Sequence, residues 1–123
     1  MNIRYPLSNL PVGEPTRNRA QEILHMVAGE YKWRADELKP GQSINLVCTF
    51  GGRELDVISF FSPQIDVVCI EAKDESGDLL NITAPVEQVC FTVILFNKAS
   101  DKPPREIGYK SIMEDTPHPP QKG

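Results

Sequence analysis

The side chains best able to do chemistry in this chain are three cysteines, Cys48, Cys69 and Cys90, spaced 21 residues apart, and two histidines, His25 and His118. Zinc sites favour close pairs such as C-x-x-C with nearby imidazoles. Here each cysteine instead closes one copy of a five-residue pattern that opens on Ile or Val, at residues 44–48, 65–69 and 86–90. The pattern reads as free thiols carried on strands, in a reducing compartment, with no metal and no cofactor. Cys90 shares its side of a strand with Gln88 and Thr92, which turns it away from the other two thiols. A nucleophile activated by histidine needs an imidazole beside it. His25 falls about 140° from the centre of its helix's apolar stripe, so it reads as a surface residue, and His118 lies in a tail. Asp56, Asp66 and Glu71 sit in strand patterns and read as the wetted side of a sheet rather than an acid–base pair. Asp74, Ser76 and Asp78 have the spacing of a calcium loop but lack the bidentate Glu at its twelfth position, so they read as a hairpin turn. No phosphate loop or dinucleotide fingerprint is present. The expectation is a protein that is not an enzyme.

What positions these residues is a strand grammar. A repeat of 21 residues is what two strands and two turns consume. Residues 16–109 read as one globular α+β domain, preceded by an extended segment at 1–15 that holds Pro6, Pro11 and Pro15, and followed by a Pro-rich disordered tail at 110–123. After Pro15, the apolar residues Ala20, Ile23, Leu24, Val27 and Tyr31 keep helical spacing, which predicts an amphipathic helix. Pro40-Gly41 ends it, and five strands follow. Gly51-Gly52 predicts a two-residue hairpin turn that pairs Phe50 with Arg53, Cys48 with Leu55, Leu46 with Val57 and Ile44 with Ser59. Ser62-Pro63 interrupts the second strand, and residues 65–72 make the third. Residues 86–97 fit a helical stripe or a strand, and their β-branched and aromatic density selects the strand. On that reading Phe91, Val93 and Leu95 share a face with Val89. A short edge strand is expected at 105–109.

The chain of 123 residues carries 13 Lys and Arg against 17 Asp and Glu, a net charge of −4, which counts against a broad phosphate-binding surface. Apolar runs such as 93–96 are too short to span a membrane, and residues 1–10 lack a signal-peptide core, so a cytoplasmic protein without a membrane anchor is expected. The candidate contact surface is Trp33 with Phe60, Phe61 and Pro63. Two adjacent aromatics in a strand point to opposite faces, so one of them looks outward unless both faces are covered. The run 91–96 meets no protective lysine before Lys98, and an edge of that kind invites pairing between subunits.

Two family resemblances add to this reading. Phe61-x-Pro63-x-Ile65, the Gly77 turn, Leu80, the apolar run around Gln88 and Arg105-Glu106-Ile107-Gly108-Tyr109 resemble, over about residues 43–109, an uncharacterised family of small bacterial proteins classed as a domain of unknown function. That likeness implies no activity. The order of one helix and five strands, with Gly52-Arg53-Glu54-Leu55 in a hairpin and Phe61-x-x-x-Ile65-Asp66-Val67-Val68 after it, is similar to the Sm-like small barrels that assemble into RNA-binding rings. It implies that Phe61 stacks a base and that Asp66 accepts a hydrogen bond from the base edge. Asp66 stands where that family prefers Asn, and Thr83-Ala84 replaces its Arg-Gly. The combined expectation is a helix on a strongly bent, mainly antiparallel five-stranded sheet or small Sm/SH3-like barrel. Its expected role is a non-enzymatic protein-binding or self-assembly module acting as a homo-oligomer, the three 21-residue units being too few for a solenoid, with an RNA-binding ring as the alternative.

Overall fold

The computed structural model describes residues 2–7, 19–98 and 103–110. Among these are one α-helix, α1 (Arg19–Asp36), and seven strands: β1 (Ile3–Pro6), β2 (Ser43–Phe50), β3 (Arg53–Gln64), β4 (Val67–Lys73), β5 (Leu79–Pro85), β6 (Cys90–Phe96) and β7 (Gly108–Lys110). The architecture is α+β, and the sheet has seven strands rather than the five expected. Of the two further strands β1 was illegible, whereas β7 overlaps the short edge strand expected at 105–109. β1 belongs to the segment read as a lead-in, and β7 extends one residue into the segment read as a tail. The rest of the expected lead-in, 8–15, and of the expected tail, 111–123, lies outside the described residues.

The hairpin signal at Gly51-Gly52 works because both glycines adopt positive φ, 61° and 79°, which a two-residue turn demands and a Cβ resists. The pairs Phe50–Arg53, Thr49–Glu54, Cys48–Leu55 and Val47–Asp56 form as expected. Beyond them β2 leaves β3, so Leu46–Val57 and Ile44–Ser59 do not form. β2 pairs instead along its whole length with β6, from Ser43 opposite Phe96 to Thr49 opposite Cys90. β3 also continues through Ser62-Pro63 to Gln64, and the chain turns at Ile65-Asp66 with Asp66 at φ 65°. Asp66 is therefore a turn residue, not a strand residue.

The sheet order is β1-β6-β2-β3-β4-β5, with β7 parallel to β3 where β2 has left it. The order is open: β1 and β5 do not pair. The residues joining β5 to β6 are a 3₁₀ turn at Val86–Gln88 and Val89. At roughly 2–3.5 Å per residue they bridge only about 15 Å. A flat sheet would hold those strands about 19 Å apart, at ~4.8 Å for each of the intervening spacings. The sheet therefore curls, and α1 fills its concave side. Ala20, Leu24, Val27 and Tyr31 are buried there with Leu46, Cys48, Val57, Phe60, Val68, Ile70, Phe91 and Val93. The ring of Phe60 meets those of Phe91 and Tyr109 edge-on, each at a centroid distance of 5.6 Å.

The C-terminal segment closes the gap that β2 leaves. The Arg105 guanidinium donates to the Val57 carbonyl at 2.8 Å, between the part of β3 that pairs with β2 and the part that pairs with β7, and also to Asn45 Oδ1 at 2.9 Å. The Tyr31 hydroxyl donates to the Arg105 carbonyl at 2.7 Å, and the Tyr109 hydroxyl to the Gln21 carbonyl at 3.1 Å. Burial pushes the Tyr31 phenol up from its ordinary pKa, with the Arg105 charge pulling the other way. Gly108 sits so close to β3 that a Cβ there would lie 2.9 Å from the Ser59 Cβ.

Candidate functional site

The face of the sheet turned away from α1 has two halves. Over β1, β6 and β2 it is closed by polar pairing: Arg4 is ion-paired with Glu54, Asn45 Nδ2 donates to Asp56 Oδ1 at 2.8 Å, and Arg105 reaches Asn45. Val47, Thr92 and Ile94 are buried beneath. Over β3, β4 and β5 the same face is left open by the described residues. Ser59, Phe61, Cys69, Glu71, Asn81 and Thr83 line a shallow depression of about 390 Å³.

Phe61 reaches this face because of a bulge. Val57 pairs with Ala72 but Ser59 pairs with Glu71, so β3 carries one extra residue at Ile58. Strict alternation from Leu55 and Val57 would send Phe61 into the core. The bulge reverses the parity, leaving Phe60 2% exposed and Phe61 40% exposed. A second register shift falls between Phe61 and Gln64. There the buried Ser62 hydroxyl lies 2.9 Å from the Gln64 carbonyl and 3.0 Å from that of Val67, which ties the β3–β4 turn shut.

The structure does not gather the expected contact residues into one patch. Phe60 is core. Phe61 lies on the open face. Trp33 is exposed on α1, beyond the opposite side of the sheet, where the Arg34 guanidinium stands 4.9 Å from its ring and 3.7 Å from the Tyr5 ring. Pro63 is half-buried in the second irregularity of β3. The Asp66 carboxylate stands 4.0 Å from Arg19 Nε and is no part of the depression around Phe61.

The thiols also separate. Cys48 is buried under α1, and burial with the nearby Asp56 charge pushes its pKa up to about 11. Cys69 and Cys90 lie on the other face, Cys69 within 3.4 Å of the Thr83 hydroxyl and Cys90 exposed. It is Cys48, not Cys90, that points away from the other two. Asp74 caps the β4–β5 turn, accepting from the backbone N–H of Ser76 and of Asp78 at 2.9 Å each. The Asp78 bond is the main cause of its lowered pKa, and Arg53 adds to it. That turn is held by its own aspartate. Among the described residues no group of three or more His, Cys, Asp and Glu is placed to hold a metal, and no helix is long and apolar enough to cross a membrane.

Sequence reasoning expected the strand that is β5, over about residues 78–83, but missed that it is the open edge. The run 91–96, expected to be an unprotected edge, is β6, an inner strand covered by β1 from Ile3 opposite Leu95 to Pro6 opposite Thr92. The unprotected edge is β5, whose sequence Leu79-Leu80-Asn81-Ile82-Thr83-Ala84-Pro85 carries no charge and pairs with β4 without a bulge. The missing charge between Asp78 and Pro85 was the available signal. Comparison with models of protein families, with curated proteins and with solved structures finds no match to this chain.

Proposed function

We propose that this protein is a non-enzymatic polypeptide-binding module, whose contact surface is the β5 edge with the open face beside it. One observation carries the reading: among the described residues β5 is a seven-residue strand with an unpaired outer side and no lysine, inward charge or bulge. Protein sheets blunt their edges with lysine, inward charges, proline, bulges or short strands. β1, at the other end, is only 4 residues long and holds Arg4 and Pro6. β5 has 7 residues and a proline only at its last position. Leu79 is 60% exposed at one end of the strand, and Phe61 adds a second exposed apolar group on the adjoining face.

The chemistry of the depression favours a polypeptide over a nucleic acid. Its one charged side chain is Glu71, which accepts from the Ser59 hydroxyl at 3.2 Å. A carboxylate, an amide and two hydroxyls suit peptide N–H groups, whereas a phosphate chain needs cations. A photoreactive benzoylphenylalanine placed at Thr83 or Phe61 in living cells tests the reading. Covalent adducts to polypeptide from both positions, but not from Glu37 beyond the helix, are expected. Nucleic acid as the sole adduct, or no adduct at all, would overturn it.

A further inference from the structure

The directions of the backbone groups along β5 say what kind of partner fits. The Asp74 N–H donates to the Asp78 carbonyl at 3.0 Å, and the Val86 N–H to the Asp66 carbonyl at 2.7 Å. Together with the uninterrupted register from Lys73–Leu79 to Val67–Pro85, these bonds turn the even-numbered residues of β5 toward β4. The odd-numbered residues Leu79, Asn81, Thr83 and Pro85 therefore aim their backbone groups outward, and Pro85 has only a carbonyl to offer.

Resting on the reading of β5 as a binding edge, we infer that its partner is β5 of a second copy, paired antiparallel about a two-fold axis at Ile82. That register sets Leu79 opposite Pro85, Leu80 opposite Ala84, Asn81 opposite Thr83, and Ile82 opposite itself. Each outward N–H then finds a carbonyl: Asn81 and Thr83 exchange both bonds, and the Leu79 N–H donates to the Pro85 carbonyl, Pro85 having no N–H that needs an acceptor in return. About six backbone hydrogen bonds result. Apolar side chains meet apolar ones on both faces, and no charged residue of the strand meets its own copy. A shift centred on Asn81 would place Ala84 and Pro85 against Asp78 and Gly77 and lose the apolar matches.

A head-to-tail ring has no comparable solution. It requires two different open edges, and the far end of the sheet is the short β1 with Arg4 and Pro6. A strand-to-strand contact is small compared with standard interfaces, so the dimer should depend on concentration.

Sedimentation velocity of the full chain over a wide concentration range provides the test. The wild type is expected to move from monomer to dimer mass. Thr83→Pro removes an outward N–H that no described strand of the monomer pairs with, and Asn81→Lys adds a charge at the edge that its neighbour's strand must meet. Both variants should stay monomeric while keeping the wild-type circular dichroism and a protected Cys48. A wild type that is monomeric throughout, or a dimer that survives both substitutions, overturns the inference. The crosslinking at Thr83 separates its failure from that of the wider reading. A monomeric wild type with adducts to another polypeptide removes only the second copy, and a monomer with no polypeptide adduct removes both.

Discussion

Phe60 and Phe61 are neighbours in the chain and occupy opposite environments, one under the helix against Phe91 and Tyr109, the other on a face that none of the described residues covers. The concave side of the sheet spends every large apolar group on one continuous core. The convex side is divided, sealed by an ion pair and the contacts of the Asn45 amide over β1, β6 and β2, and uncovered by the described residues over β3, β4 and β5. A sheet wetted on one side would ordinarily show polar residues there. Here Ser59, Glu71, Asn81 and Thr83 share the face with an exposed ring beside an uncharged edge, and it is the ring and the edge on which the proposed contact surface rests.

Substitution of the two rings should expose this contrast most strongly. Phe60→Ala is expected to cost about 3–5 kcal/mol in chemical denaturation, because it opens a cavity in the core. Phe61→Ala should stay within about 0.5 kcal/mol for the monomer, as exposed positions do. A comparable loss at both sites would mean that the convex face is packed after all.

Gly108→Ala attacks the covered side from its edge. With Ser59 Cβ at 2.9 Å from the new methyl and the contact in a strand rather than a flexible tip, β7 must shift away. A loss of about 1–3 kcal/mol is expected, with faster hydrogen exchange at Tyr109. Unchanged exchange there would show that the parallel pairing is not needed. A smaller effect belongs to Tyr31→Phe, which leaves the Arg105 carbonyl without its donor and should cost about 1 kcal/mol. The phenol's raised pKa gives that contribution a pH limit. It is fully present below the ordinary tyrosine value and is lost as pH rises through the higher folded value, so the difference between wild type and Tyr31→Phe should vanish in strong alkali.

Thiol labelling sharpens the comparison without disturbing the fold. Cys90 should react first, Cys69 more slowly and Cys48 last, since its thiol is buried and its pKa lies near 11. Protection of Cys69 that grows with protein concentration would place the β5 interface close to it. Equal rates at all three sites would contradict the division of the faces.

Much of the local structure was legible from the chain alone. The helix follows from the spacing of Ala20, Leu24, Val27 and Tyr31, and the first hairpin from Gly51-Gly52, since both signals depend on neighbours in sequence. The strand at 90–96 was legible from its β-branched and aromatic density, with Phe91 and Val93 facing the core as expected. The candidate surface was legible only in part: Phe61 is exposed, yet Phe60, Trp33 and Asp66 stand elsewhere, and β5 was legible as a strand but not as the open edge.

Local periodicity and turn chemistry thus determined which segments became helix and strand, because those preferences act over a few residues. Tertiary structure alone decided which of two adjacent phenylalanines is core, through the extra residue at Ile58, and which strand is the open edge, through the arrival of β1 beside β6. Both outcomes depend on pairings between residues far apart in the chain. A one-residue change of register reverses every side chain beyond it, and nothing in the local pattern records where that change occurs.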